Sequence, residues 1–155
     1  MVKEIEFILN GRKKRVVTSD MESLTDLLRD KCGCKSVKKG CEAGECGACT
    51  VIMDGKCINS CIYLGVFAEG HEIITVERLK KNDGTLHPIQ QAFVDEAAIQ
   101  CGFCTPGFVL SGVELCMTGQ KYTREEIREA VSGHLCRCTG YANIINALYK
   151  VLGDK

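Results

Sequence analysis

The chain has 155 residues, 45% hydrophobic and 26% charged, which suits a soluble globular protein of one domain or two small ones. Its 20 Lys and Arg balance 20 Asp and Glu, and phosphate binding needs a basic surplus, so the composition speaks against a nucleic-acid partner. No apolar run is long enough to span a bilayer, so no membrane insertion is expected.

The first half reads as strands and turns. MVKEIEFILN has the character of a strand that carries charges, not of a signal peptide. KEIEFILN and KRVVTS flank Asn10-Gly11, a two-residue hairpin signal. Ser23 is placed to cap a short helix with Leu24, Leu27 and Leu28 on one face. A cysteine-rich loop follows. Asp54-Gly55 then predicts a second hairpin, and HEIITVE a last strand. Together these make a small mixed sheet with one helix.

The character changes between Lys80 and Thr85. Pro88 suits a first helical turn, and Ile89, Ala92, Phe93, Ala97 and Cys101 fall on one stripe behind it. Thr105-Pro106 separates this helix from the next, which carries Val109, Val113, Cys116 and Met117. Thr123 and Glu126 form a capping box ahead of Ile127, Ala130, Val131 and Leu135. Thr139 is expected to cap a last helix with Tyr141, Ile144, Ile145, Leu148, Val151 and Leu152 inward. Four amphipathic helices with short turns predict a helical bundle. The fold class is therefore α+β, divided into residues 1–79 and 85–155.

Twelve cysteines stand out from this background. With no export signal in view, a reducing compartment, the cytoplasm, is expected, where thiols bind metal or do redox work. Cys41, Cys46 and Cys49 follow the C-x4-C-x2-C spacing of plant-type [2Fe–2S] sites, with a fourth cysteine further on. Gly40, Gly44 and Gly47 let the loop wrap tightly, and Ala43 and Ala48 keep bulk away, so that backbone N–H groups can reach the sulfurs. The fourth ligand is Cys61 or Cys57, which fall on one face of the same strand. The greater distance of Cys61 from the hairpin tip favours it. Zinc fits this spacing less well.

A second set comprises Cys101-x2-Cys104 and Cys136-x-Cys138. The first pair is expected on one face at the end of a helix, and the second in the turn between the last two helices. Spacing leaves zinc and [2Fe–2S] both open here. Cys116 and Cys32 fall on apolar helical faces and read as core, and Cys34 matches no ligand pattern. His71, His87 and His134 are scattered and read as surface or packing residues.

VKKGCEAGECGACTV, SCIYL, IQCGFCTPGF and GHLCRCTGY, in this order and across nearly the whole chain, resemble the iron–sulfur subunit of the molybdenum hydroxylases, the xanthine dehydrogenase family. The resemblance implies a β-grasp, plant-ferredoxin-like domain followed by a four-helix domain, each with one [2Fe–2S] cluster. It implies iron at the second site too, with Cys101, Cys104, Cys136 and Cys138 as ligands nearer molybdenum. Cys41, Cys46, Cys49 and Cys61 would hold the cluster nearer flavin. It also assigns Gln100 and Cys138 to contact with the pterin cofactor, where the residue type alone reads Gln100 as a capping or surface amide. Cys32, Cys34 and Cys57 depart from the family pattern without disrupting a ligand motif.

The expected partners are a large molybdopterin subunit and a medium FAD subunit on separate polypeptides, in a dimer of heterotrimers. The chain itself would carry electrons and hold no substrate site. AEGHEIITVE and IQQAFVDEAAIQCGFCTPG look most like the subunits of xanthine enzymes, so a purine is the expected substrate of the complex. Carbon monoxide, nicotinate, aldehyde and hydroxybenzoyl-CoA enzymes share the pattern. The competing readings are a free ferredoxin-like carrier, which would normally be strongly acidic, and a zinc-stabilised interaction module.

Overall fold

The computed structural model describes residues 1–153; Asp154 and Lys155, which end the expected helical half, lie outside the described residues. Strands β1 (Val2–Leu9) and β2 (Arg12–Ser19) pair antiparallel, with Val2 opposite Ser19 and Leu9 opposite Arg12. The turn residues Asn10 and Gly11 both take positive φ, 53° and 76°, the primed-turn geometry that matches the twist of the strands. β3 (Thr50–Met53) and β4 (Lys56–Asn59) form the second hairpin, with φ of 47° at Asp54 and 83° at Gly55. β5 (Glu72–Ile74) lies between the two hairpins, parallel to β1 and antiparallel to β3, which gives a five-stranded mixed sheet of order β2-β1-β5-β3-β4.

α1 begins at Leu24, where the Ser23 hydroxyl accepts the Asp26 N–H at 3.1 Å. Its α pattern over Leu24–Asp26 widens to a π-helical one over Leu27–Lys31. Leu24, Leu27 and Leu28 are fully buried against one face of the sheet, with Ile5, Phe7, Leu9, Val51, Met53 and Ile73. Each such side chain contributes about 1.5–3 kcal/mol by leaving water. Alternation along β3 turns Ile52 to the other face, where it joins the core of the helical half.

Four helices follow, α2 (Pro88–Asp95), α3 (Thr105–Met117), α4 (Arg124–Ala130) and α5 (Ala142–Leu152). Phe93, Phe108, Ile127, Ile144 and Leu148 are fully buried among them. The Thr123–Glu126 capping box is present as expected. A second one precedes α2, where the His87 ring accepts the Ile89 N–H at 3.2 Å and the Gln90 side chain accepts the His87 N–H at 3.0 Å. His87, expected as a surface or packing residue, is half-buried and caps α2.

Several expected helical boundaries are corrected. α2 stops at Asp95, because Ala97 turns left-handed at φ 48° and sends the chain away. Ala98 N–H bonds Phe93 O at 2.9 Å and Ala97 N–H bonds Val94 O at 3.2 Å, a Schellman arrangement with Ala where Gly is usual. Cys101 therefore lies in irregular chain and shares no helical face with Cys104, which is the N-cap of α3. α4 ends at Ala130, so Leu135 is a loop residue, 58% exposed. The N-cap of α5 is Tyr141 at φ 68°, not Thr139.

Candidate metal centres

The first group of thiols gathers in the loop between α1 and β3. Cys41 Sγ accepts the N–H groups of Glu45 at 3.2 Å and Ala43 at 3.4 Å, and Cys46 Sγ accepts the Cys41 N–H at 3.4 Å. The Ala43 donor, followed by that of Glu45, brings the Cys41 thiol down to about 7. A loop that turns its donors inward in this way stabilises thiolate. It also needs a bare backbone: a Cβ on Gly40 would lie 2.7 Å from Cys46 Sγ. Cys49 is buried at the end of the loop, beside Cys61. Burial first, and Cys49 second, push the Cys61 thiol up to about 11.

Cys61 does not sit on a strand as expected. β4 ends at Asn59, and a one-turn 3-10 helix, Ser60–Ile62, swings Cys61 to the loop. The Ser60 hydroxyl fastens this turn by donating to Cys49 O at 2.6 Å. Cys57 stays on β4 and packs against the helical half, with the Ser111 hydroxyl 4.0 Å from its sulfur. Burial pushes its thiol strongly up, with Glu114 adding to the shift.

The second group joins two junctions that are distant in sequence. Cys138 Sγ and Cys101 Sγ are 3.6 Å apart on the exposed side, and Cys136 interacts with the buried Cys104 behind them. Burial, then Cys136, push Cys104 up to about 12. Burial is also the largest influence on Cys136, but the Thr139 hydroxyl at 3.1 Å, the Thr139 N–H at 3.4 Å and the Cys138 N–H together bring it down to about 7. The Tyr141 hydroxyl accepts the Cys136 N–H at 3.0 Å. Thr139 therefore serves the thiol loop, and its hydroxyl also accepts the Tyr141 N–H at 3.2 Å just ahead of α5. Gln100 is exposed, immediately before Cys101.

In both groups the sulfurs come in pairs: Cys41 with Cys46, Cys49 with Cys61, Cys101 with Cys138, and Cys104 with Cys136. Among the described residues no three His, Cys, Asp or Glu side chains converge as a single ion requires. Two thiol pairs per site fit a two-iron cluster, in which each iron takes two protein sulfurs.

Residues 7–78 match the family described as 2Fe-2S iron-sulfur cluster binding domain, and residues 75–149 the [2Fe-2S] binding domain family. The nicotine 6-hydroxylase small subunit of Paenarthrobacter nicotinovorans is 46% identical, over 97% of this chain and 90% of its own. The xanthine dehydrogenase iron-sulfur-binding subunit of Escherichia coli O157:H7 is 44% identical, over 93% and 91%. The chain belongs to the iron–sulfur small subunits of the xanthine dehydrogenase family of molybdenum hydroxylases. Among solved structures, quinoline 2-oxidoreductase from Pseudomonas putida 86 superimposes with a TM-score of 0.93 at 38% identity, over 97% of this chain and 93% of that one. This subunit thus has two [2Fe-2S]-binding domains, and in its family molybdopterin and FAD belong to partner subunits.

The two centres of the subunit touch. Leu135 N–H donates to Cys46 O at 3.0 Å, and the Phe103 ring lies beside Gly40, so each thiol loop contacts the other. His134 is buried at this seam with Nε2 2.6 Å from the Ser111 hydroxyl, and burial lowers its pKa. His134, expected as a surface or packing residue, is buried and lies between the centres. Nothing in the sequence signals it, because its neighbours Gly47, Gly107 and Ser111 come from other segments.

Proposed function

We propose that this subunit passes electrons from a molybdopterin subunit to an FAD subunit through two [2Fe–2S] clusters. Cys101, Cys104, Cys136 and Cys138 hold the cluster on the molybdenum side, and Cys41, Cys46, Cys49 and Cys61 the one on the flavin side. A [2Fe–2S] group bound at each site supplies one-electron chemistry. The protein's part is to present four thiolates in pairs and to hold the two loops in contact. The observation that carries the reading is that contact: two paired-thiol sites joined through Leu135 and Cys46.

On this reading residues 1–79 form a β-grasp domain and 85–155 a four-helix domain. Gln100 and Cys138 face the pterin, which accords with their exposure beside Cys101. The complex is a dimer of heterotrimers in the cytoplasm. None of the twelve cysteines is joined in a disulfide, which agrees with a reducing compartment. No helix among the described residues is long and apolar enough to cross a membrane.

For the substrate of the complex we propose a purine. The relatives named for nicotine, xanthine and quinoline all concern nitrogen heterocycles, which supports the ring class. The test is to purify the native complex anaerobically and add xanthine, nicotinate, carbon monoxide or an aldehyde in turn. The chain should co-elute with molybdopterin- and flavin-bearing polypeptides, and xanthine should bleach its visible absorbance. Bleaching only by a non-purine overturns the substrate. Elution as a free monomer that no substrate reduces overturns the electron-transfer role in favour of a diffusible carrier.

A further inference from the structure

The side chain at the seam of the two centres has a role that neither ligand set explains. His134 is 8% exposed and immediately precedes Leu135 and Cys136. Its ring is wedged among three elements. On one side is Gly47, between Cys46 and Cys49, where a Cβ would lie 2.1 Å from His134 Nδ1. On another is Gly107 of α3, where a Cβ would lie 2.4 Å from Gly47 O and 3.0 Å from His134 Nδ1. The ring thus fills the space that two missing side chains leave, and either side chain would force the loops apart.

The ring is also held in orientation. Nε2 is 2.6 Å from the Ser111 hydroxyl, one helical turn after Gly107, and the Phe108 ring lies 5.0 Å away, centroid to centroid. Nδ1 is buried and turned towards the Gly47 carbonyl, a further polar contact between the ring and the first loop. Ser111 at Nε2 and the Gly47 carbonyl at Nδ1 give the ring two polar fixed points, which hydrophobic packing alone would not supply. The Gly47 carbonyl is itself fixed, because it accepts the Thr50 hydroxyl at 2.8 Å. The wedge therefore presses against a rigid part of the first loop and hangs from a rigid helix capped by Cys104.

We propose that His134 is a positioning residue that sets the separation and relative orientation of the two [2Fe–2S] groups. It does so by spacing Gly47 from α3 and bringing Leu135 N–H to Cys46 O. Ser111 is its anchor. The inference rests on the ligand assignment above, and it predicts an effect on the coupling between the centres without loss of either.

The test uses the native complex with wild-type, His134→Ala, His134→Gln and Ser111→Ala subunits. Two paramagnets at short fixed separation split one another's EPR lines, and the splitting falls steeply with distance. Iron content, the splitting between the two reduced signals, and the rate at which reduction passes from one centre to the other are measured together. His134→Ala is expected to keep both clusters, lose resolved splitting and slow the transfer. His134→Gln, which retains an amide within reach of Ser111, should restore much of both. Unchanged splitting in an iron-replete His134→Ala complex overturns the proposal.

If His134→Ala loses its iron, Ser111→Ala decides, since it removes only the anchor. A smaller change of the same sign supports the role, and no change overturns it. Wild-type protein with only one cluster signal would overturn the ligand assignment and this inference with it, an outcome distinct from unchanged splitting in the variants.

Discussion

The two centres reach the same paired-thiol arrangement by different routes. The first is nearly local: three of its four thiols lie within nine residues, and the loop that carries them also supplies the N–H groups that their sulfurs accept. The second is assembled from two junctions more than thirty residues apart, which helix packing must bring together. A local centre is encoded in spacing and glycine. A tertiary centre is encoded in a hydrophobic core, and its stability is that of the core.

Removal of one ligand should separate the two centres most clearly. Cys138→Ser should abolish the second cluster, slow electron entry from molybdenum and leave the first cluster's EPR signal intact. Loss of the first signal instead would mean that the thiols are wrongly grouped. Next in size is Gly40→Ala, whose methyl would meet Cys46 Sγ at 2.7 Å. Iron analysis should show loss from the first centre with the second retained.

Leu148→Ala tests the dependence on packing. Leu148 is fully buried, and its Cδ2 lies against Gly112 of α3. The substitution should cost about 2–5 kcal/mol. In a denaturant titration the second cluster's signal should disappear before the first. Simultaneous loss would show that the two halves unfold as one unit.

The smallest effect concerns the metal-free thiols. Cys41 and Cys136 should alkylate first as pH rises, with midpoints at about 7, and Cys61 and Cys104 only at about 11 and 12. For Cys41 and Cys136 the folded value lies below the ordinary 9.0, so ionisation favours the fold above that pH. That contribution is lost as pH falls through about 7. Thr139→Val should raise the Cys136 midpoint and leave Cys41 unmoved.

The same division explains what could be read in the sequence. Both hairpins were legible because Asn10-Gly11 and Asp54-Gly55 suit the positive φ that a two-residue turn demands. The cradle was legible because spacing and small residues are local signals. The end of α2 was not, since its left-handed residue is Ala97 and no glycine marks it. That hid the loop in which Cys101 lies. Leu135 has the hydropathy of a core residue, yet it belongs to the loop that brings Cys136 into place. Strand parity could not separate Cys57 from Cys61, because the chain leaves the strand at Ser60. His134 left no trace, because its function is a contact among three distant segments.

One chain is expected to hold two [2Fe–2S] groups on eight thiols. Iron and acid-labile sulfide per chain, with EPR of the dithionite-reduced protein, test it most directly. The expected result is about four irons and two distinguishable [2Fe–2S] signals. About two irons and a single signal would leave the helical thiols to zinc or without metal, break the electron route, and contradict it.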